Sequence, residues 1–355
     1  MESLVIDPNF WRERSVFITG HSGFKGGWAS LWLSEMGAKV HGYSLSPPTT
    51  PNFYDEIKLV NHIESTVNAD IRDLPKLKRA LQAANPSIVI HMAAQPLVRE
   101  SYHAPTETFA TNVLGTANLL EAVRNIGTVE AVINVTTDKC YENQEWIRPY
   151  DENDRLGGYD PYSASKACAE LVATSYRNSF FLETGIQLAS VRAGNVIGGG
   201  DWATDRLIPD FLRAVDANET LKVRSPNAVR PWQHVLEPLS GYLMLAERLV
   251  TQGASFANAW NFGPAELDAK PVSWVLDHLC QKVPNARWEL ERSPQPHEAG
   301  LLNLDITKAR TKLGWSQRWS LETGLDKTLE WHQVWRDGRT VKDVSIQQIE
   351  EYQSS

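Results

Sequence analysis

Short apolar runs alternate along the first two hundred residues with longer segments whose apolar positions recur every three or four residues. "SVFIT" (15–19) is β-branched and aromatic and halts at Gly20. "GGWASLWLSEMGA" then has helical spacing and ends near Gly37. Strand-type runs recur at "KVHGYSL", "STVNADIRD", "PSIVIHMAA", "EAVINVTT" and "IQLASVRAGNV". Helical segments stand among them: "LPKLKRALQAA", "PTETFATNVLGTANLLEAVRNIG" and "PYSASKACAELVATSYRNSFF". Thr106 or Thr108 is the expected N-cap of the second of these. Apolar strands alternating with helices predict a parallel, doubly wound α/β sheet.

After Asn195 the alternation breaks. A Gly-rich loop leads into a helix in "IGGGDWATDRLIPDFLRAV", and "LKVRSPNAVRPWQHV" reads as two short strands that pair with each other. "EPLSGYLMLAERLV" is helical, and "NAWNFGP" reads as one more strand of the sheet. The expected layout is a dinucleotide-binding domain over 1–194 with return segments near 231–263. A smaller, mixed α/β substrate-binding domain occupies most of 195–355.

Composition narrows the classes. The 355 residues are 42% apolar and 22% charged, a globular balance. The net charge is −8 and no Lys/Arg run stands out, so no nucleic-acid partner is expected. No window reaches the roughly 18 apolar residues of a membrane span. The N-terminus carries charges and a Pro where a signal peptide needs an apolar core, so a cytoplasmic protein is the expectation. Cys140, Cys168 and Cys280 show neither metal-ligand nor disulfide spacing, and no metal is expected. Most of the 13 Trp should be core residues.

Candidate chemistry sits at strand ends. In "TGHSGFKG", Gly20, Gly23 and Gly26 are evenly spaced between a strand and a helix. That context lets a backbone approach a pyrophosphate and offer it a helix N-terminus. Phe24 belongs to this turn, and His21 and Lys25 either touch phosphate or face water. The second strand ends in Tyr43 and Ser44, without the carboxylate that would bind a ribose hydroxyl, so the residues alone leave NAD and NADP undecided. Asp70, followed by Ile71, either binds adenine or caps a turn. The small residues Ala93 and Ala94, followed by Gln95, would let a cofactor lie against the backbone. "YSASK" sets Tyr162 and Lys166 one helical turn apart on one face, where a Lys⁺ eases loss of the phenol proton. "TTDK" ends the fifth strand with Thr137, Asp138 and Lys139.

These three motifs together resemble the extended short-chain dehydrogenase/reductases, and within them the nucleotide-sugar 4,6-dehydratases. "AAQPLVRESY", "TTDKCYEN", "SVRAGNVIGGGDWATDRLIPD", "RPWQHVLEPLSGYL" and "WNFGP" are similar to the branch that acts on CDP-glucose. The resemblance implies a Rossmann sheet, bound NAD, CDP-glucose as substrate and a homodimer or dimer of dimers. It also implies a role in deoxysugar biosynthesis for lipopolysaccharide O-antigen. The implied reaction oxidises C4, eliminates water across C5 and C6, and returns hydride to C6. Tyr162 would be the C4 base, Thr137 a partner of the C4 oxygen and Asp138 the acid for C6. Many relatives carry Glu where this chain has Lys139, which either removes the C5 proton itself or stays cationic and steadies the enolate. Asn195, Arg206 and Arg230 would hold the nucleotide diphosphate, and His297 would line the sugar end. Related 4,6-dehydratases and 4-epimerases are the alternatives; an epimerase needs no acid at C6.

Overall fold

The computed structural model describes residues 6–292 and 301–355. Among these described residues, twelve strands form three sheets. The large one uses β1 (Ser15–Thr19), β2 (Lys39–Ser44), β3 (Ser65–Asn68), β4 (Ile88–His91), β5 (Ala131–Val135), β6 (Gln187–Ala193) and β10 (Ala259–Phe262). Its order is β10-β6-β5-β4-β1-β2-β3 and every pairing is parallel. Helices cover both faces, which is why β4 and β5 are buried at every position and read as unbroken apolar runs. The chain runs outward from β1 in one direction, then returns and continues from β4 in the other. A crevice therefore opens above the carboxyl ends of β1 and β4.

Local chemistry sets the helix ends. Asp73 caps Leu74–Ala84 by accepting from Lys76 N at 3.0 Å, and Asn85 closes it in the left-handed region at φ 43°. The helix from Pro105 is not capped by either threonine. Ala104 is its N-cap, Pro105 fills the first turn, and Thr108 instead donates back to Ala104 O at 2.9 Å. This helix carries one wide turn at Ala110–Leu114, which turns Asn112 inward, before it continues as Gly115–Val123.

The smaller sheets use β7 (Asn195–Ile197), β8 (Leu221–Val223), β9 (Val229–His234), β11 (Ala269–Pro271) and β12 (Trp288–Leu290). The two strands in "LKVRSPNAVRPWQHV" do not pair with each other. β8 pairs with β12, while β9 lies between β7 and β11. From β9 the chain passes through the helix Leu236–Gln252 and rejoins the large sheet as β10 beside β6. Trp11, Trp28, Trp32, Trp260, Trp315 and Trp331 are fully buried. Trp331, Val341, Ile349 and Tyr352 of the last two helices (Leu321–Arg336 and Val341–Ser354) join the core on the large sheet. Ile197, Phe211, Trp232, Leu276 and Leu325 form a second core beneath the small sheets.

Candidate active site

One cavity of about 1480 Å3 spans the crevice and the face of the small sheets. At one end is the glycine turn. Gly20 has φ +78°, and a Cβ on it would stand 2.7 Å from Ala93 N. A Cβ on Gly26 would stand 2.1 Å from Gly20 O, so the turn closes only without side chains. Gly23 is the N-cap of Phe24–Glu35 and supplies no side-chain cap, leaving the first amides to a ligand. This cradle fits a dinucleotide pyrophosphate. Phe24, Lys25, Asp70, Ile71, Ala93 and Ala94 line the cavity beside it.

His21 and Gln95 do not line it. The buried His21 ring bonds Thr66 Oγ1 at 2.8 Å and Ser44 Oγ at 3.0 Å, and burial lowers its pKa to about 4. Gln95 bonds Leu97 and Thr108. Asp70 accepts from Arg72 N at 2.8 Å and pairs with its guanidinium at 2.7 Å, which holds the carboxyl below its usual value. Asp70 thus takes up its turn role and still faces the cavity. Arg72 also faces the cavity, but Asp70 and Glu107 both pair with it. Ser44, at the end of β2, donates to Ser22 Oγ at 2.9 Å.

At the other end, β5 and the helix Pro161–Tyr176 bring the polar motifs together. Asp160 caps that helix, accepting from Ser163 N at 2.9 Å and from Ser163 Oγ at 2.6 Å. Tyr162 and Lys166 are buried on its cavity side. Lys166 Nζ donates to Val135 O at 3.1 Å, and burial lowers its pKa to about 8. Tyr162 is pushed up to about 12, first by burial, and the neighbouring Thr137 opposes that rise. Thr137 Oγ1 donates to Asp138 Oδ1 at 2.9 Å and adjoins Tyr162. The result is a row, Tyr162 to Thr137 to Asp138, ending in a carboxyl that burial pushes above its ordinary value. Lys139 adjoins this row on the cavity wall. Such a row combines a proton acceptor, a relay and an acid that keeps its proton more readily than a solvated one.

Cations ring the same space. Arg206 starts the helix Leu207–Asp216 and pairs with Asp201 at 2.8 Å. Arg230, on β9, is buried and near enough to Asp138 to oppose its upward shift. Asn195 at the start of β7 completes the wall. Lys25 reaches this cluster, and burial, then Arg206 and Lys166, lower it to about 7. Trp202 and Trp232 also border the cavity, with Trp232 Nε1 committed to Lys270 O. His297 lies outside the described residues.

The model of the family described as GDP-mannose 4,6 dehydratase matches residues 17–328. The chain belongs to this family of nucleotide-sugar 4,6-dehydratases. CDP-glucose 4,6-dehydratase of Salmonella typhimurium is 52% identical over 357 residues, covering 99% of each chain. UDP-glucose 4-epimerase of Thermotoga maritima, solved with UDP-glucose, shares the fold at TM-score 0.76 and 23% identity, covering 90% of this chain and 98% of its own. TunA, an NAD-dependent NDP-hexosamine 5,6-dehydratase, superposes at TM-score 0.75 and 24% identity, covering 90% and 97%.

This dehydratase-family chain also holds site residues that its motifs do not announce. Asn112, in the wide turn, accepts from Gln95 N at 2.8 Å and donates to Gln95 O at 3.1 Å and Ser165 Oγ at 2.8 Å. It locks the loop after β4 to the helix of Tyr162. In the sequence it is one more polar residue between Thr108 and Thr116 on that helical face, with nothing to single it out. Among the described residues, no three His, Cys, Asp or Glu side chains converge as metal donors, and no helix is long and apolar enough to cross a membrane.

Proposed function

We propose that the chain converts CDP-D-glucose to CDP-4-keto-6-deoxy-D-glucose with the loss of water. The observation that carries this reading is the row of Tyr162, Thr137 and Asp138, in which Thr137 donates to the acid and burial raises the carboxyl above its ordinary value. An epimerase has no use for that acid. NAD is the proposed cofactor, supported by the glycine cradle and by the pairing of Arg72 with two carboxylates. When bound, the dinucleotide supplies a reversible two-electron acceptor, so oxidation at C4 and reduction at C6 cancel.

The protein's own groups handle the protons. Tyr162 Oη takes the C4 hydroxyl proton, eased by the charge of Lys166. Thr137 Oγ1 stays within reach of the C4 oxygen and keeps the phenol aligned. A ketone at C4 acidifies the C5 proton, and Lys139 removes it. Asp138 gives its proton to the C6 hydroxyl, which leaves as water. Arg206, Arg230 and Asn195 hold the diphosphate. In this reading residues 1–194, with return segments near 231–263, bind the dinucleotide, and 195–355 mainly bind substrate.

Phe109, Leu114 and Leu171 are exposed on the two long helices, which supports a homodimer built on that face. The cytoplasm, where sugar nucleotides are made, is the proposed location. The test is Tyr162→Phe. Turnover should fall by about 10²–10⁴-fold while sugar-nucleotide binding persists. Turnover close to wild type would reject Tyr162 as the C4 base.

A further inference from the structure

Behind the reacting groups lies a buried polar network that meets the cavity only through Thr136 and Tyr141. Thr136 donates to Glu170 Oε1 at 2.6 Å. Glu170 and Arg192 form a two-pronged ion pair at 2.9 and 3.1 Å, with side-chain exposures of 1% and 3%. Arg192 donates to Tyr141 Oη at 2.8 Å, Tyr141 donates to Asn261 Oδ1 at 2.7 Å, and Asn261 donates to Tyr150 O at 2.9 Å. Glu170, Arg192 and Asn261 do not line the cavity.

Thr136 and Tyr141 bracket the turn of Asp138–Cys140, with Thr137 as its N-cap. Glu170 lies two helical turns beyond Tyr162 and one beyond Lys166 on the same helix. One ion pair therefore grips both ends of the segment that carries Thr137, Asp138 and Lys139, and ties it to the helix that carries the phenol and the amine. A buried pair of this kind adds little net stability over packed apolar side chains, so its value lies in what it aligns.

We propose that Glu170 and Arg192 are positioning residues for the dehydration, holding the Tyr162–Thr137–Asp138 row in register and keeping a negative charge one turn from Lys166. The proposal rests on the assignment of that row as the reacting groups. The groups facing Lys166 are Glu170 and Tyr162 on its own helix, Lys25 from Phe24–Glu35, His91 from β4 and Cys140 from the turn after β5. Among these Glu170 is the first to counter the downward pull of burial on Lys166.

The experiment compares Glu170→Gln with Tyr141→Phe, which removes one hydroxyl of the same network and leaves no charge stranded. Initial rates against pH are combined with the titration of the Lys166 13Cε resonance, assigned with Lys166→Arg. Glu170→Gln should lower kcat by about tenfold or more while KM stays within about twofold. Its Lys166 midpoint and the alkaline limb of kcat should both move down by about half a pH unit or more. Tyr141→Phe should lower kcat by about threefold or more with the Lys166 midpoint unchanged. If Glu170→Gln fails to fold, Tyr141→Phe decides the alignment claim alone. Wild-type kcat in Tyr141→Phe, or a wild-type Lys166 midpoint in folded Glu170→Gln, overturns the proposal, whatever happens to melting temperature. A wild-type enzyme that dehydrates no sugar nucleotide, with Tyr162→Phe indistinguishable from it, overturns the underlying assignment instead.

Discussion

Thr137→Val removes one oxygen and nearly keeps the side-chain shape, which makes it a direct probe of the row. Thr137 Oγ1 accepts from Lys139 N at 3.3 Å, donates to Asp138 Oδ1 at 2.9 Å and adjoins Tyr162. Without it, Asp138 loses a hydrogen bond that lowers its pKa, and burial pushes the carboxyl higher still. Tyr162, already near 12, loses the neighbouring hydroxyl that lowers it. Both changes slow proton transfer. A hydrogen bond to a group that becomes charged is worth about 1.5–3 kcal/mol, so kcat should fall roughly 10- to 150-fold. KM should change little, because Arg206 and Arg230 are untouched. Loss of the turn cap should cost about 1 kcal/mol of stability. The assay is initial-rate formation of the 4-keto-6-deoxy chromophore in alkali, with Thr137→Ser as the control that restores the hydroxyl. A Val variant within about threefold of wild type, or a Ser variant as slow as Val, would refute the relay.

Lys139→Met, assayed with substrate deuterated at C5, should lose elimination while C4 oxidation persists as transient cofactor reduction; elimination at a tenth of the normal rate or better would leave Lys139 only an electrostatic role. The dinucleotide should be held loosely, because the end of β2 offers Ser44 in place of a carboxylate, and loss of a charge-assisted bond weakens affinity about tenfold to a hundredfold. Gel-filtered protein should therefore be partly empty and respond to added NAD, whereas stoichiometric, non-dialysable cofactor would contradict the reasoning. Glu237 is raised to about 7, first by burial, so the folded state binds its proton more tightly than the unfolded state does, and stability falls as pH rises from about 4.5 through 7. Glu237→Gln should flatten that fall by on the order of 2 kcal/mol between pH 5 and 8, and parallel stability–pH curves for the two proteins would refute it.

Local chemistry explains which parts of this molecule were readable in advance. β1, β4 and β5 are apolar because both faces of the sheet are covered, and the glycine turn is needed within seven residues of chain. Tyr162 and Lys166 share a face by helical geometry alone. Partners set by tertiary packing were not readable. His21 is turned inward by Ser44 and Thr66, which are 23 and 45 residues away. β8 and β9 are close in the chain and joined through a tight turn at Pro226 and Asn227, yet they belong to different sheets because each finds a distant mate. The Glu170–Arg192 pair spans 22 residues and the Tyr141–Asn261 bond 120, and neither leaves a periodic signal. The Ala104 cap leaves no signal of its own, because alanine offers no side-chain acceptor and only Pro105 marks the start of the helix.

The central claim is dehydration of CDP-glucose, and a product analysis across a panel tests it most directly. The protein, supplied with NAD, is incubated with the CDP, dTDP, UDP and GDP forms of glucose and with GDP-mannose, and products are read by mass and by the alkaline chromophore. The account predicts loss of one water from CDP-glucose with a 4-keto-6-deoxy product, at a kcat/KM about tenfold or more above the other nucleotides. An unchanged mass with inversion at C4, or a clear preference for another nucleotide, would contradict it.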